Sequence, residues 1–199
     1  MNIGVTGCFL SGKTTLSRLL AEKLGFRLFS CDDFVQKLYR KKAVRKKVLD
    51  IFGKGCYKGH VLQKELLSQL VFQSPKLLRK LESIIHPLVE AEIIRQSQTT
   101  NHSQCTVFEI PLLYEKGLNR LMDVCVLVWS DKKNCLWRAK LRGFTKKDYE
   151  MRTQFQWNAS RKKRLRLCKR WNPWIIANQG DLKMLELKSS ILAESLRTK

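Results

Sequence analysis

Asn2–Thr6 is a short, almost wholly apolar run of the kind a fully buried strand carries, and Gly7–Thr15 after it reads as a loop. From Thr14 to Leu24, Leu16, Leu19, Leu20 and Leu24 recur at helical spacing until Gly25 stops them. Phe26–Ser30 predicts a second strand with Cys31-Asp32-Asp33 at its carboxyl end, where either aspartate can cap the next helix. Phe34 to Gln98 is mostly helical in pattern, with breaks expected at Gly53–Gly59, Ser74-Pro75 and His86-Pro87. Gln104–Ile110 and Asp123–Trp129 are β-rich runs suited to central parallel strands, and Pro111–Leu118 between them makes a loop and a short turn. Asp131–Arg142 and Lys146–Gln156 read as helices and Trp174–Ala177 as a last short strand. Asn178-Gln179-Gly180 is a turn, and Asp181–Leu196 a closing amphipathic helix.

Strands that alternate with helices predict an α/β, doubly wound sheet of about five mainly parallel strands with helices on both faces. The chain has 199 residues, enough for one domain or one domain with a lid. Hydrophobic residues make up 44% and charged residues 28%, which excludes wholesale disorder. The balance of charge is unusual: 39 Lys plus Arg against 17 Asp plus Glu leave a net +22. Such a chain attracts polyanions, and salt weakens the attraction.

The seven cysteines are scattered, with no CxxC pair and no zinc spacing, so they read as small buried hydrophobes in a reducing compartment. No leader pattern is visible, and the longest apolar runs, Val124–Trp129 and Trp174–Ala177, are too short to span a bilayer. A soluble cytoplasmic protein is expected, as a monomer or a small homo-oligomer.

Gly7-Cys8-Phe9-Leu10-Ser11-Gly12-Lys13-Thr14 matches the phosphate-loop pattern GxxxxGK[ST] at every fixed position, and Thr15 extends it. The two glycines let the backbone wrap a phosphate with its N–H groups inward, and the helix that follows adds positive potential. Lys13 is expected on the β- and γ-phosphates of ATP, and the Thr14 hydroxyl on Mg²⁺. Kinases, motor ATPases and GTPases all share this loop, so the reaction must be read elsewhere. A carboxylate ending the second strand can orient or deprotonate an attacking hydroxyl in line with the γ-phosphate, and chemistry alone does not separate Asp32 from Asp33.

At this point the chain resembles the bacterial dephospho-coenzyme A kinases, which use ATP to phosphorylate the ribose 3′-hydroxyl of dephospho-CoA. That family pairs a phosphate loop with an Asp-Ala-Asp segment ending strand two, then an HPL tripeptide, then a PLL run ending another strand. Here Gly7–Thr15, Ser30-Cys31-Asp32, Ile85-His86-Pro87-Leu88 and Glu109-Ile110-Pro111-Leu112-Leu113 occur in that order and near that spacing. The likeness runs from residue 1 to about 155 and resumes near Ile175–Gly180. It implies that Asp32 is the catalytic aspartate and Asp33 the helix cap. It also implies that Thr6 and His86 lie at the acceptor site, with Pro111 shaping the strand-end loop beside them.

Arg138 and Arg142 stand at i and i+4, on one face of a helix, where two guanidiniums can clamp phosphate oxygens. The resemblance places such arginines in a lid that closes over ATP, with Arg138 assisting transfer. Several positions depart from the family. Cys8-Phe9-Leu10 is bulkier than its glycine-rich loop, Ser30 replaces the first carboxylate of Asp-Ala-Asp, and Ala177-Asn178 replaces a late Asp-Asn pair near the adenine. Asn178 is retained as an ATP-side candidate.

Arg161–Arg170 holds seven basic residues in ten and Lys37–Lys47 seven in eleven, the first flanked by Trp157, Trp171 and Trp174. As helices these are cationic faces able to meet nucleic acid, acidic lipid or a partner, although solvated faces are favoured. The tryptophans are expected to pack against the closing helix rather than to stack on bases.

The expected organisation is one domain, 1–199, with a core of about 1–30 and 103–199. A helical acceptor-binding insertion takes up about 32–100 and a lid about 131–170. The expected reaction is ATP- and Mg²⁺-dependent phosphorylation of dephospho-CoA. A nucleoside or nucleotide kinase, and a nucleic-acid-binding P-loop protein without kinase activity, are the alternatives.

Overall fold

A computed structural model describes residues 1–98, 105–154, 156–157, 159–164 and 173–198. The chain separates into two compact units, Met1–Ser30 with Gln96–Lys199, and Cys31–Arg95.

The first unit is built on a five-stranded, wholly parallel sheet: β1 (Asn2–Gly7), β2 (Arg27–Ser30), β5 (Thr106–Glu109), β6 (Val124–Trp129) and β7 (Trp174–Ala177), in spatial order β2-β5-β1-β6-β7. In register, Ile3 lies opposite Val107 and Val124, and Ser30 opposite Glu109. The chain leaves β1 toward β2 on one side and leaves β6 toward β7 on the other. The carboxyl ends of β1 and β6 therefore flank the switch point, where a doubly wound sheet opens a binding crevice. One sheet face is covered by α1 (Lys13–Leu24) and α9 (Leu182–Arg197). Ile3, Val5, Val107, Val126 and Val128 meet Leu16, Leu20, Leu185, Leu192 and Leu196 there in the principal core. Apolar strands buried on both faces are what a parallel sheet requires. The opposite face continues through Phe108 and Leu127, also buried, and the side chains of Leu113 and Met122 cover Gly4.

After β6 come α6 (Lys132–Leu141), α7 (Lys146–Thr153) and α8 (Ala159–Arg164). Asp131 caps α6, its side chain accepting the Asn134 N–H at 2.7 Å, and a reciprocal Thr145–Asp148 capping box starts α7. The helix expected to reach Gln156 stops at Thr153. Of the basic run Arg161–Arg170, the part beyond Arg164 lies outside the described residues, with Cys168 and Trp171.

The second unit contains α2 (Cys31–Leu38), α3 (Lys42–Phe52), a hairpin of β3 (Tyr57–Lys58) and β4 (Val61–Leu62), α4 (Lys64–Gln73) and α5 (Pro75–Gln98), the last of which runs on to Gln98 in the first unit. Its core gathers Leu38, Val44, Val48, Cys56, Tyr57, Leu67, Val71 and Ile85.

Two expectations are corrected here, and a third, the break at Gly53–Gly59, is borne out and filled in. No break falls at His86-Pro87: α5 continues through Pro87, because that residue is exposed while the apolar side carrying Ile85 and Ile93 keeps the helix packed on either side. The expected break at Gly53–Gly59 holds a 3₁₀ turn (Lys54–Cys56) and opens the hairpin, whose two-residue strands are too short to show an alternation. Asp33 is not a cap: α2 begins at Cys31, so Asp32 and Asp33 both lie in its first turn, where carboxylates still complement the helix dipole.

The cysteines are less uniform than expected. Cys31, Cys56 and Cys135 are buried and Cys8, Cys105 and Cys125 half-buried, all six being free thiols. Among the described residues no helix is long and apolar enough to cross a membrane.

Candidate functional site

The phosphate loop leaves β1 at the switch point and hands over to α1. Gly7 is required by space, and Gly12 by space and by conformation. A β-carbon on Gly7 would run into the Ser11 hydroxyl and the Val128 carbonyl, and one on Gly12 (φ 96°) into the Asn178 amide. Ser11 N–H closes the turn on the Cys8 carbonyl at 3.1 Å. Lys13 is buried, 8% exposed, and has no ion-pair partner among the described residues, which leaves its charge available to a ligand. Thr15 is half-buried behind it in the first turn of α1.

Thr14 is the exposed residue of that turn, and its hydroxyl donates to Glu109 Oε1 at 2.5 Å. Glu109 ends β5 and is almost fully buried, 2% exposed. It was not singled out from the sequence, although a lone carboxylate closing an otherwise apolar strand is a signal, since burial without a use is costly. A hydroxyl beside a carboxylate is a hard oxygen donor set, the kind that suits Mg²⁺.

The non-glycine positions of the loop are braced by α6, α7 and the residues that follow α7. Leu10 sits in the left-handed region (φ 62°) with its side chain buried among Cys135, Ala139 and Tyr149. The Phe9 ring stands edge-on to Phe144 at 5.5 Å, with the Arg152 guanidinium 5.4 Å from its centre, and the Phe9 N–H donates to Gln156 Oε1 at 3.0 Å. Cys8 donates weakly to the Trp157 carbonyl, and burial pushes its thiol above the ordinary value. The bulky residues therefore point away from the cradle, as backbone recognition of phosphate requires.

Arg138 and Asn178 lie beneath the loop. The Arg138 guanidinium donates from one terminal nitrogen to the carbonyls of Leu10 (3.2 Å) and Ser11 (3.5 Å) and to the Ser130 hydroxyl (3.1 Å), and from the other to the Asn178 carbonyl (3.1 Å). The buried Asn178 amide donates to the Ser11 carbonyl at 2.8 Å. Both residues thus hold the loop from its carbonyl side. Arg142, one turn on, is exposed at the end of α6.

Thr6 is buried one residue before the end of β1, and its hydroxyl donates to the Pro111 carbonyl at 3.1 Å, which joins β1 to the loop after β5. Of the tryptophans, Trp157 lies beneath the Arg161 guanidinium, 3.8 Å from the ring centre, and Trp174 is 36% exposed. For Trp157 the stacking partner is a neighbouring arginine on α8, where packing against the closing helix was expected.

Asp32 and His86 belong to the second unit. Asp32 is exposed in the first turn of α2, two residues beyond the end of β2. His86 lies inside α5, one turn from Glu82, with its Nε2 3.8 Å from Glu82 Oε1.

A family model described as dephospho-CoA kinase matches residues 1–184. The dephospho-CoA kinase of Aquifex aeolicus is 30% identical over 183 residues, 90% of this chain and 89% of its own length. That of Fusobacterium nucleatum is 34% identical over 132 residues, 66% of this chain and 67% of its own. A crystal structure from Thermus thermophilus superposes with a TM-score of 0.74 at 27% identity, covering 98% of this chain and 97% of that one.

Proposed function

The chain belongs to the dephospho-CoA kinase family, and on that premise we propose how its own residues carry the phosphorylation of the ribose 3′-hydroxyl of dephospho-CoA by ATP. The observation that carries the reading is the junction of β1, α1 and β5. There a phosphate cradle, an unpaired buried lysine and a hydroxyl–carboxylate pair meet within a few residues.

The loop amides other than those of Phe9 and Ser11, with the Lys13 ammonium, hold the β- and γ-phosphates and oppose the charge that spreads over the transferring group. Thr14 and Glu109 are the residues that would hold Mg²⁺, which when bound offsets phosphate charge and aligns the oxygens. Arg138 and Asn178 set the loop's shape through the Ser11 carbonyl. Two Arg138 donors without a protein partner among the described residues remain for a phosphate oxygen, and the exposed Arg142 adds a second cation as the lid closes.

On the acceptor side, Asp32 orients the 3′-hydroxyl and takes its proton as the oxygen bonds to the γ-phosphorus. The bond from phosphorus to the bridging oxygen breaks, and ADP leaves. Thr6, Pro111 and His86 complete the acceptor contacts. Support for Asp32 comes from its motif and from its position just past β2, a strand whose carboxyl end runs level with Glu109. Six scattered cysteines, free among the described residues, fit a reducing cytoplasm.

The test is ADP release with ATP and Mg²⁺, with and without dephospho-CoA, the product weighed by mass spectrometry. A gain of one phosphate that depends on the acceptor is expected. Asp32→Asn should bind ATP within about twofold of the parent while losing about a hundredfold or more in turnover, and Lys13→Ala should weaken ATP binding about tenfold or more. An Asp32→Asn protein with normal turnover would remove the assigned base.

A further inference from the structure

Lys162 on α8 is completely buried, although it belongs to a run of charge that reads as a solvated face. Its Nζ lies 3.0 Å from Glu115 Oε1 and donates at 3.0 Å to the Pro111 carbonyl. The Glu115 side chain is itself only 8% exposed. The same Oε1 accepts the Trp157 N–H at 2.9 Å, and Oε2 is buried with no hydrogen-bond partner among the described residues. Two further bonds close a ring: the Pro111 carbonyl also receives the Thr6 hydroxyl, and the Trp157 carbonyl receives the Cys8 thiol. Thr6 and Cys8 bracket Gly7, so the ring returns to the start of the phosphate loop after passing through α8 and the loop that follows β5.

A buried ion pair is a poor way to gain stability, because desolvation cancels most of the attraction and apolar residues of similar volume usually do as well. An arrangement that keeps one carboxylate oxygen unpartnered is less favourable still. What the pair does provide is position. Lys162 ties two segments distant in sequence to one carbonyl, and that carbonyl sits against the Thr6 hydroxyl at the carboxyl edge of the central strand. Resting on the reading of Thr6 and Pro111 as acceptor contacts, we propose that Lys162, through Glu115, is a positioning residue of the phosphoryl transfer that sets the acceptor side of the site.

The test compares the parent, Lys162→Met and the double variant Lys162→Met/Glu115→Met as full chains. Melting temperature, ATP dissociation constant, kcat and KM for dephospho-CoA, and the rate of Cys8 labelling by iodoacetamide are measured for each. Lys162→Met leaves Glu115 buried and unpaired and should melt lower, whereas the double variant should recover the parent's melting temperature. In both, KM for dephospho-CoA should rise about tenfold with ATP binding held within about twofold. In the double variant Cys8 labelling should accelerate about fivefold or more, because Glu115 no longer holds the Trp157 N–H and the contact of Cys8 with the Trp157 carbonyl loosens.

A purely structural pair would give back normal acceptor KM together with stability in the double variant, and that result overturns the proposal. So does an unchanged Cys8 labelling rate in the double variant. A parent enzyme with no dephospho-CoA-dependent turnover would instead sink the functional reading, and the labelling rates would still decide whether the ring holds Cys8. If Lys162→Met does not fold, the double variant carries the same comparison.

Discussion

Leu10 is a left-handed, buried, branched residue at a position where glycine would carry no strain, and two opposed effects meet at its α-carbon. Truncating a buried leucine to alanine costs about 2–5 kcal/mol, and Leu10, 7% exposed among Cys135, Ala139 and Tyr149, should fall near the middle, about 3 kcal/mol. Alanine keeps the penalty of a β-carbon at positive φ, about 1–2 kcal/mol, which glycine escapes. Glycine in turn loses about 0.5–1 kcal/mol more backbone entropy and about 0.8 kcal/mol for the missing methyl.

The two sets nearly cancel, so Leu10→Gly and Leu10→Ala should have the same stability within about 0.5 kcal/mol. Leu20 supplies the contrast. It is fully buried in the middle of α1, where no strain is relieved, and glycine there should be worse than alanine by about 2 kcal/mol. Urea or thermal unfolding followed by tryptophan fluorescence reads this directly, since the four tryptophans among the described residues fall in the first unit. The expected gap between the two Leu20 variants is about 4–8 °C in melting temperature, against about 2 °C or less between the two at position 10. A Leu10 pair separated as widely as the Leu20 pair would refute the strain at Leu10. Both Leu10 variants should also weaken ATP binding several-fold, because the brace from α6 and α7 reaches the loop through this side chain.

Two further outcomes follow from helix geometry. Pro87 sits inside α5 on the exposed side, where it removes one backbone hydrogen bond, so Pro87→Ala should stabilise the second unit by about 1–3 kcal/mol. Slower amide exchange across residues 75–98 would show it, and faster exchange would mean that the packing of Ile85 and Ile93 depends on the proline. In the capping box of α7, bonds from the Thr145 hydroxyl (2.6 Å) and N–H (2.8 Å) hold the Asp148 carboxyl below its ordinary value. A lowered folded-state value means that the contribution is complete above the usual carboxylate range and fades as pH falls through the lowered value. Asp148→Asn should therefore melt below the parent at neutral pH, with the gap closing in acid. A gap independent of pH would assign the effect to something other than ionisation.

What could be read from the chain and what could not divide along sequence distance. The strands were legible because a parallel sheet buried on both faces demands unbroken runs such as DVCVLVW, and the loop because its glycines and lysine stand at fixed spacing. The passage of α5 through Pro87 was hidden, since a local rule about proline cannot weigh the apolar contacts on either side of it. The work of Asn178 was hidden too. Its amide occupies the space against Gly12 and holds the Ser11 carbonyl, a contact that joins residues 167 apart.

The cations make the same point more sharply. A count of 39 Lys and Arg weighs them alike, and composition then suggests a surface field. Burial separates them: Lys13 is enclosed and unpaired, Arg138 is turned onto loop carbonyls, and Lys162 is closed off from water on a carboxylate, while Lys37, Lys41, Lys42, Lys46 and Lys47 are exposed on the second unit. A buried charge must be held by a partner or kept for a ligand, whereas an exposed one costs nothing to carry. Among the described residues the two buried cations, Lys13 and Lys162, lie in the first unit with the half-buried Arg138, at or beside the phosphate loop, so the chemistry to be tested first concerns these three and not the net +22.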